Sequence, residues 1–268
     1  MLSLRSTVLP ALLLLPLCVP MMAAQRGAVA EPRAPFQVFD NLYYVGDNTV
    51  SAWILETTEG LIMIDAMFAN SVDQALDKVR QLGLDPEDIR YLFVSHSHGD
   101  HSGGAPRVKE VSRARVGLAR ADWELFTAMP PDIVIDDGDE ITLGDTTVRF
   151  FVTPGHTPGV ISIGFPVRDG ANVHAAFMFG GVGLNFNGVE RTELYLESVG
   201  RLRAMSGIEV NVGNHPTMGD VFQRAERLAA RRPGDPHPFV DPEAFTAWLA
   251  GLEANGQAKL VEERAAAN

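Results

Sequence analysis

Three histidines and an aspartate fall within six consecutive residues, His96-Ser97-His98-Gly99-Asp100-His101. Neutral imidazole and carboxylate together suit a borderline divalent ion such as zinc. The apolar run Tyr91-Leu92-Phe93-Val94 stands directly before them and reads as a buried strand ending at Ser95. On that reading His96 and His98, two apart at the strand's end, point the same way. Gly99 lets the chain turn sharply, so that Asp100 and His101 face the same space from another side. His156 sits in the stiff loop Thr153-Pro154-Gly155-His156-Thr157-Pro158-Gly159, and His215 follows a strand-like run at 208–212. These are two further arms of one metal site.

The elements that must position these arms come in a simple order. Strand-like pieces at 36–39, 42–45 and 51–56 are separated by Asp40-Asn41 and Gly46-Asp47-Asn48 turns. Gly60-Leu61-Ile62-Met63-Ile64-Asp65 is a further apolar strand that ends on an acid, so the N-terminal part is an antiparallel or mixed sheet. A helix from Asn70 or Ser71 to Leu82 carries Val72, Ala75, Leu76, Val79 and Leu82 on one face. After the histidine loop the pattern gives a helix to Ser112, a strand at 116–118 and a helix at 119–128. Strands at 133–135, 140–143 and 147–152 follow, then a hairpin of 161–167 with 172–179. The glycine-rich stretch 180–188 lacks the phosphate-loop pattern and reads as a wall of the site. Helices at 192–205 and 221–231, a proline-rich bridge at 233–242 and a closing helix at 243–267, broken near Gly251, complete the chain. His174, within a strand, and His237, between prolines, read as structural or surface residues.

Composition bounds the setting. Residues 1–30 have the layout of a secretory signal: Arg5, an apolar run at 8–15, and small residues ending in Ala28-Val29-Ala30. Prolines at 10, 16 and 20 interrupt a run already too short to span a bilayer, so no stable membrane insertion is expected once the signal is removed. A periplasmic or secreted domain of residues 31–268 is expected, long enough for one sizeable core. Cys18 is the only cysteine, so every metal ligand of the mature chain is nitrogen or oxygen. The net charge of −12 and the lack of a Lys/Arg cluster argue against nucleic acid as a partner.

The acid-tipped strand at Asp65, the H-x-H-x-D-H run, the Gly155-His156-Thr157-Pro158-Gly159 loop and His215 together resemble the metallo-β-lactamase superfamily. The resemblance implies an α/β fold, a four-layer αββα sandwich of two mixed sheets with helices outside and metals at one edge. It implies two zinc ions per chain, one held by His96, His98 and His156 and the second by Asp100, His101 and His215. Asp65 would steady the histidine loop from behind. Two zinc ions ~3.5–4 Å apart share a water and lower its pKa towards ~7. The hydroxide so formed attacks a carbonyl, with Asp100 as the catalytic residue that orients it and a metal taking up the developing charge.

Within the superfamily the ligand set narrows the choice. Glyoxalase II, many lactonases and phosphodiesterases add an aspartate that bridges both metals at a strand end. The corresponding stretch here, Phe177-Met178-Phe179-Gly180-Gly181, has no acid, and Asp169 and Glu190 lie too far away in sequence. Two lactamase subclasses place a cysteine near there, and the mature chain has none. The pattern therefore looks like the third subclass of class B β-lactamases, which implies an exported zinc hydrolase of small β-lactams. Another hydrolase of lactones, esters or thioesters is the alternative. An iron-dependent oxygenase on the same fold and a non-catalytic metal-binding module stand further off. Val160 and the glycines at 180, 181 and 183 occupy places where lactamases often carry serine, so substrate contacts differ.

Overall fold

A computed structural model describes residues 31–267; the signal-like segment 1–30 lies outside them. Alternation of apolar side chains along the strands decides the architecture, because a period of two gives each strand two buried faces to fill. In β3 (Trp53–Thr57), Trp53 and Leu55 face one core while Ile54 faces another. In β4 (Gly60–Ile64), Ile62 and Ile64 join the first core and Leu61 and Met63 the second. Both faces are covered, so these strands read as continuous apolar runs.

The first sheet runs in the order β1 (Phe36–Phe39), β2 (Leu42–Tyr44), β3, β4, β5 (Ile89–Phe93), β6 (Arg115–Ala119) and β7 (Ile133–Ile135). Its first four strands pair antiparallel and β4 to β7 pair parallel. The second sheet has the order β12 (Val210–Asn211), β11 (Asn172–Met178), β10 (Ile161–Asp169), β9 (Thr146–Val152) and β8 (Glu140–Leu143). The sheets meet face to face through Phe93 on Phe150, ring centroids 4.6 Å apart, with Ile163, Phe165 and Met178 around them.

Outside the first sheet lie α1 (Val72–Gln81), α2 (Gly99–Ser102), α3 (Ala105–Ser112) and α4 (Arg120–Leu125). Val72, Leu76, Val79, Val108 and Trp123 pack on that sheet's outer side. Outside the second lie α5 (Val189–Arg203) and α7 (Pro242–Ala266), with Tyr195 and Leu202 of α5 and Phe245 and Leu249 of α7 sealed against Phe177, while α6 (Val221–Ala229) sets Val221, Phe222 and Leu228 against the core between the sheets, beside β1. The result is the expected αββα sandwich. Among the described residues no helix is long and apolar enough to cross a membrane.

Four local expectations need correction. β5 ends at Phe93, not Ser95, so the histidines leave from a loop rather than from strand alternation. The helix expected at 119–128 stops at Leu125, where Phe126 turns to extended backbone and is buried with Trp123. The strand expected at 208–212 shortens to two residues, because β12 pairs with β11 at Ala176 and Phe177 alone. α7 runs unbroken through Gly251, which faces solvent. A glycine there costs the helix only ~1 kcal/mol, less than the packing of Phe245, Leu249 and Leu252 returns.

Candidate metal centre

The parallel register Ile64↔Phe93 brings the exits of β4 and β5 side by side, and the site starts there. Asp65 has a left-handed backbone, φ 61°, and Met67 repeats it at 63°, a conformation that costs non-glycine residues ~1–3 kcal/mol each. The turn aims the Asp65 carboxylate under the histidine loop. It accepts hydrogen bonds from Ser95 N–H at 2.7 Å, Ser95 Oγ at 3.0 Å and His101 Nδ1 at 2.8 Å, all fully buried. Gly99 is not the turning device that the sequence reading made it. Its backbone is not left-handed, and the turn is made by α2, which is capped by His98 and presents Asp100 and His101 from its single turn.

The remaining arms arrive from the second sheet. The 153–159 loop joins β9 to β10 and carries His156; the segment after β12 carries His215. His156 Nε2 lies 3.0 Å from His98 Nδ1, and His96 stands 4.6 Å from His156 and 4.8 Å from His98, ring centre to ring centre. His101 Nε2 lies 3.2 Å from His215 Nε2 and 3.3 Å from an Asp100 carboxylate oxygen. His215 Nε2 is 3.7 Å from that same oxygen. The rings of His96 and His101, 4.3 Å apart, join the two groups. All six residues named from the sequence converge, in two sets of three. His174 pairs with Glu209, and His237 stacks on Phe39 at 4.0 Å with Nε2 donating to Val38 O; neither joins the cluster.

Apart from Asp65, which was expected behind the histidine loop, the sequence could not supply the acceptors behind the rings. His156 Nδ1 donates to Gly183 O at 2.8 Å, His215 Nδ1 to Thr49 O at 2.7 Å, and His101 Nδ1 to Asp65. The His96 Nδ1 contact is to Ser95 Oγ, 3.1 Å away, whose own proton goes to Asp65. Two of these acceptors are backbone carbonyls, which every residue type possesses, so no side chain marks them. In a neutral ring such a bond leaves the other nitrogen's lone pair directed inward, whereas the His101 ring must first give up its Nε2 proton. His96 Nε2 is buried and has no hydrogen-bond partner among the described residues, which a histidine can afford where an ion completes its coordination.

Electrostatics agrees. Burial, then the neighbouring imidazoles, holds His96 well below the usual histidine range; burial also lowers His156 to about 4 and lowers His215. These three present neutral nitrogen at neutral pH. Burial opposes the charged form of His101 too, but Asp65 and Asp100 outweigh it and raise it to about 10. Burial disfavours the Asp100 carboxylate, yet its hydrogen bond to His101 and the charges of His101 and His215 hold it far below the usual range, so it stays ionised. The donor set fits a divalent metal: imidazole nitrogens, one carboxylate and no sulfur.

The 180–188 loop walls the site, as expected. At Gly180 an added Cβ would lie 2.0 Å from Ile161 O, and at Gly181 2.5 Å from the Val160 side chain. At Gly183 it would press on His156 at 3.1 Å. An aspartate reaching in from this strand end has no room in the backbone as it stands.

Known proteins place this geometry. Residues 45–171 match the family model described as Metallo-beta-lactamase superfamily. BJP-1, a subclass B3 metallo-β-lactamase of Bradyrhizobium japonicum, superposes with a TM-score of 0.81 at 28% identity, covering 88% of this chain and 97% of its own. FEZ-1, a metallo-β-lactamase from Legionella gormanii, shares the fold at TM-score 0.82 and 24% identity over 88% of this chain and 98% of its own. A hydroxyacylglutathione hydrolase of Maricaulis maris is 31% identical over 133 residues, which cover 50% of this chain. The match spans about half of that relative's length, 49%.

Proposed function

We propose that this chain, which belongs to the metallo-β-lactamase superfamily, is an exported dizinc hydrolase that opens the ring of β-lactams. One observation carries the reading: six inward-facing ligands in two sets of three, with no acid or cysteine at the β11 exit where Gly180 and Gly181 leave no space for one. His96, His98 and His156 would hold one ion, and Asp100, His101 and His215 the other. Bound there, such ions lower the pKa of water towards ~7 and polarise a carbonyl oxygen.

The chain's own contribution is fixed geometry and a fixed charge. Asp65, Thr49 O and Gly183 O hold three rings in one tautomer, so little reorganisation accompanies reaction. Ionised Asp100, part exposed at the cluster, can accept a hydrogen bond from an incoming water and orient it. The likeness to BJP-1 over nearly its whole length supports the β-lactam reading.

A second reading, hydrolysis of thioesters such as hydroxyacylglutathione, draws support from the Maricaulis relative. The glycines at the β11 exit weigh against it. Turnover of a carbapenem, a cephalosporin and a hydroxyacylglutathione by the zinc-loaded chain, with and without a chelator, separates them. Chelator-sensitive turnover of the lactams alone upholds the first reading; thioester turnover alone replaces it with the second.

A further inference from the structure

Asp122, on α4, is fully buried and belongs to no ligand set. One of its oxygens accepts from Ser97 N–H at 2.7 Å and from Thr157 Oγ1 at 2.8 Å; the other accepts from Gly159 N–H at 2.8 Å. Ser97 lies between His96 and His98, and Thr157 follows His156. The three side-chain hydrogen bonds of this carboxylate all go to the two loops that carry the three-histidine set, and none to α4 or to a strand. The helix has its own anchor in Trp123, whose Nε1 donates to Ile133 O at 2.7 Å. The close approach is built in: a Cβ on Gly159 would come 2.6 Å from Asp122 N and 2.8 Å from Oδ1.

We propose that Asp122 is a positioning residue that fixes the spacing of the His96–His98 loop and the His156 loop, and so tunes metal affinity at the three-histidine set. The inference rests on the metal reading above. A carboxylate suits the task because it offers acceptors on both oxygens. In Asp122→Asn one oxygen becomes an amide NH2, and whichever way it turns an N–H faces an N–H, of Gly159 or of Ser97. One loop is then released from the other. The 3.0 Å approach of His98 Nδ1 to His156 Nε2 depends on both.

The test is a cobalt(II) titration of the metal-free chain as wild type, Asp122→Asn, Thr157→Val and Thr157→Ser. Dissociation constants come from chelator competition, the ligand field from the visible absorption of bound cobalt, and folding from thermal denaturation. Asp122→Asn should weaken one of the two cobalt sites about 10-fold or more and alter its visible bands, the range seen when supporting partners of metal ligands are removed. Thr157→Val, lacking one of the three bonds, should weaken the same site less, and Thr157→Ser, which keeps the hydroxyl, should restore it. If Asp122→Asn does not fold, the valine and serine variants decide alone. Wild-type cobalt affinity and spectra in the variants, with only a lower Tm, would overturn the proposal and leave the metal reading intact. No cobalt binding by the wild type would sink both.

Discussion

Replacing Asp65 by asparagine isolates what the buried acid does for the metal centre. Asparagine tolerates the left-handed backbone of this position, φ 61°, so the change acts through the side chain rather than through strain. The carboxylate accepts three buried hydrogen bonds, two from Ser95 and one from His101. If the new amide keeps Ser95 N–H on its oxygen, its NH2 turns toward His101 Nδ1. That ring must then carry its proton on Nε2, the atom that faces Asp100 and His215. Two losses follow. Removing one partner of a buried charged pair costs ~3 kcal/mol in the metal-free protein, lowering Tm by roughly 6–12 °C. Zinc affinity should fall ~10–100-fold, or ~1.4–2.7 kcal/mol, as for other partners behind metal ligands. The stability loss has a pH signature. His101 titrates at about 10 in the folded metal-free chain, above the ordinary ~6.5, so its contribution is complete below ~6.5 and is lost as pH rises through about 10. Chelator competition, thermal melts at several pH values and NMR of the His101 ring nitrogens read all three quantities. Zinc affinity within about twofold of wild type, with Nδ1 still protonated, would refute the reasoning.

Other expectations follow from the same geometry. His156→Ala and His215→Ala should each remove one metal, seen by elemental analysis, and abolish turnover; unchanged metal content would refute the ligand assignment. Because His101 is protonated in the metal-free chain and must lose that proton to bind an ion, loading at pH 7.5 should release close to one proton. Calorimetry in buffers of different ionisation enthalpy measures it, and apparent affinity should rise with pH. Gly180→Asp, the acid that a bridging ligand would need, forces a Cβ to within 2.0 Å of Ile161 O. It should lower stability by ~1–3 kcal/mol or more and bring no gain in thioester hydrolysis; a stable variant with new thioesterase activity would show that the β11 exit can accept the ligand.

The sequence by itself determined the composition of the centre and the layers that carry it. Six candidate ligands stand in chain order after apolar runs, and imidazole and carboxylate at that density have few other uses. Burial of β4 on both faces shows in its unbroken apolar run and one-sided burial of α1 in its 3.6-residue stripe, so the elements were legible, whereas two sheets between helices came from the family resemblance. Tertiary structure decided the rest, because it depends on atoms brought together from far along the chain. His98 and His156 meet only once the two sheets are stacked. The acceptors behind His156 and His215 are carbonyls of Gly183 and Thr49, invisible in a side-chain alphabet. Asp122 reads in sequence as one more acid in a short helix, and only the fold sets it between the loops of His98 and His156. Gly251 could not be judged from propensity alone, since the packing of α7 on α5 outweighs a solvent-facing glycine. The sequence fixes which groups are present, whereas their protonation, tautomer and spacing are properties of a packed, low-dielectric neighbourhood that exists only after folding.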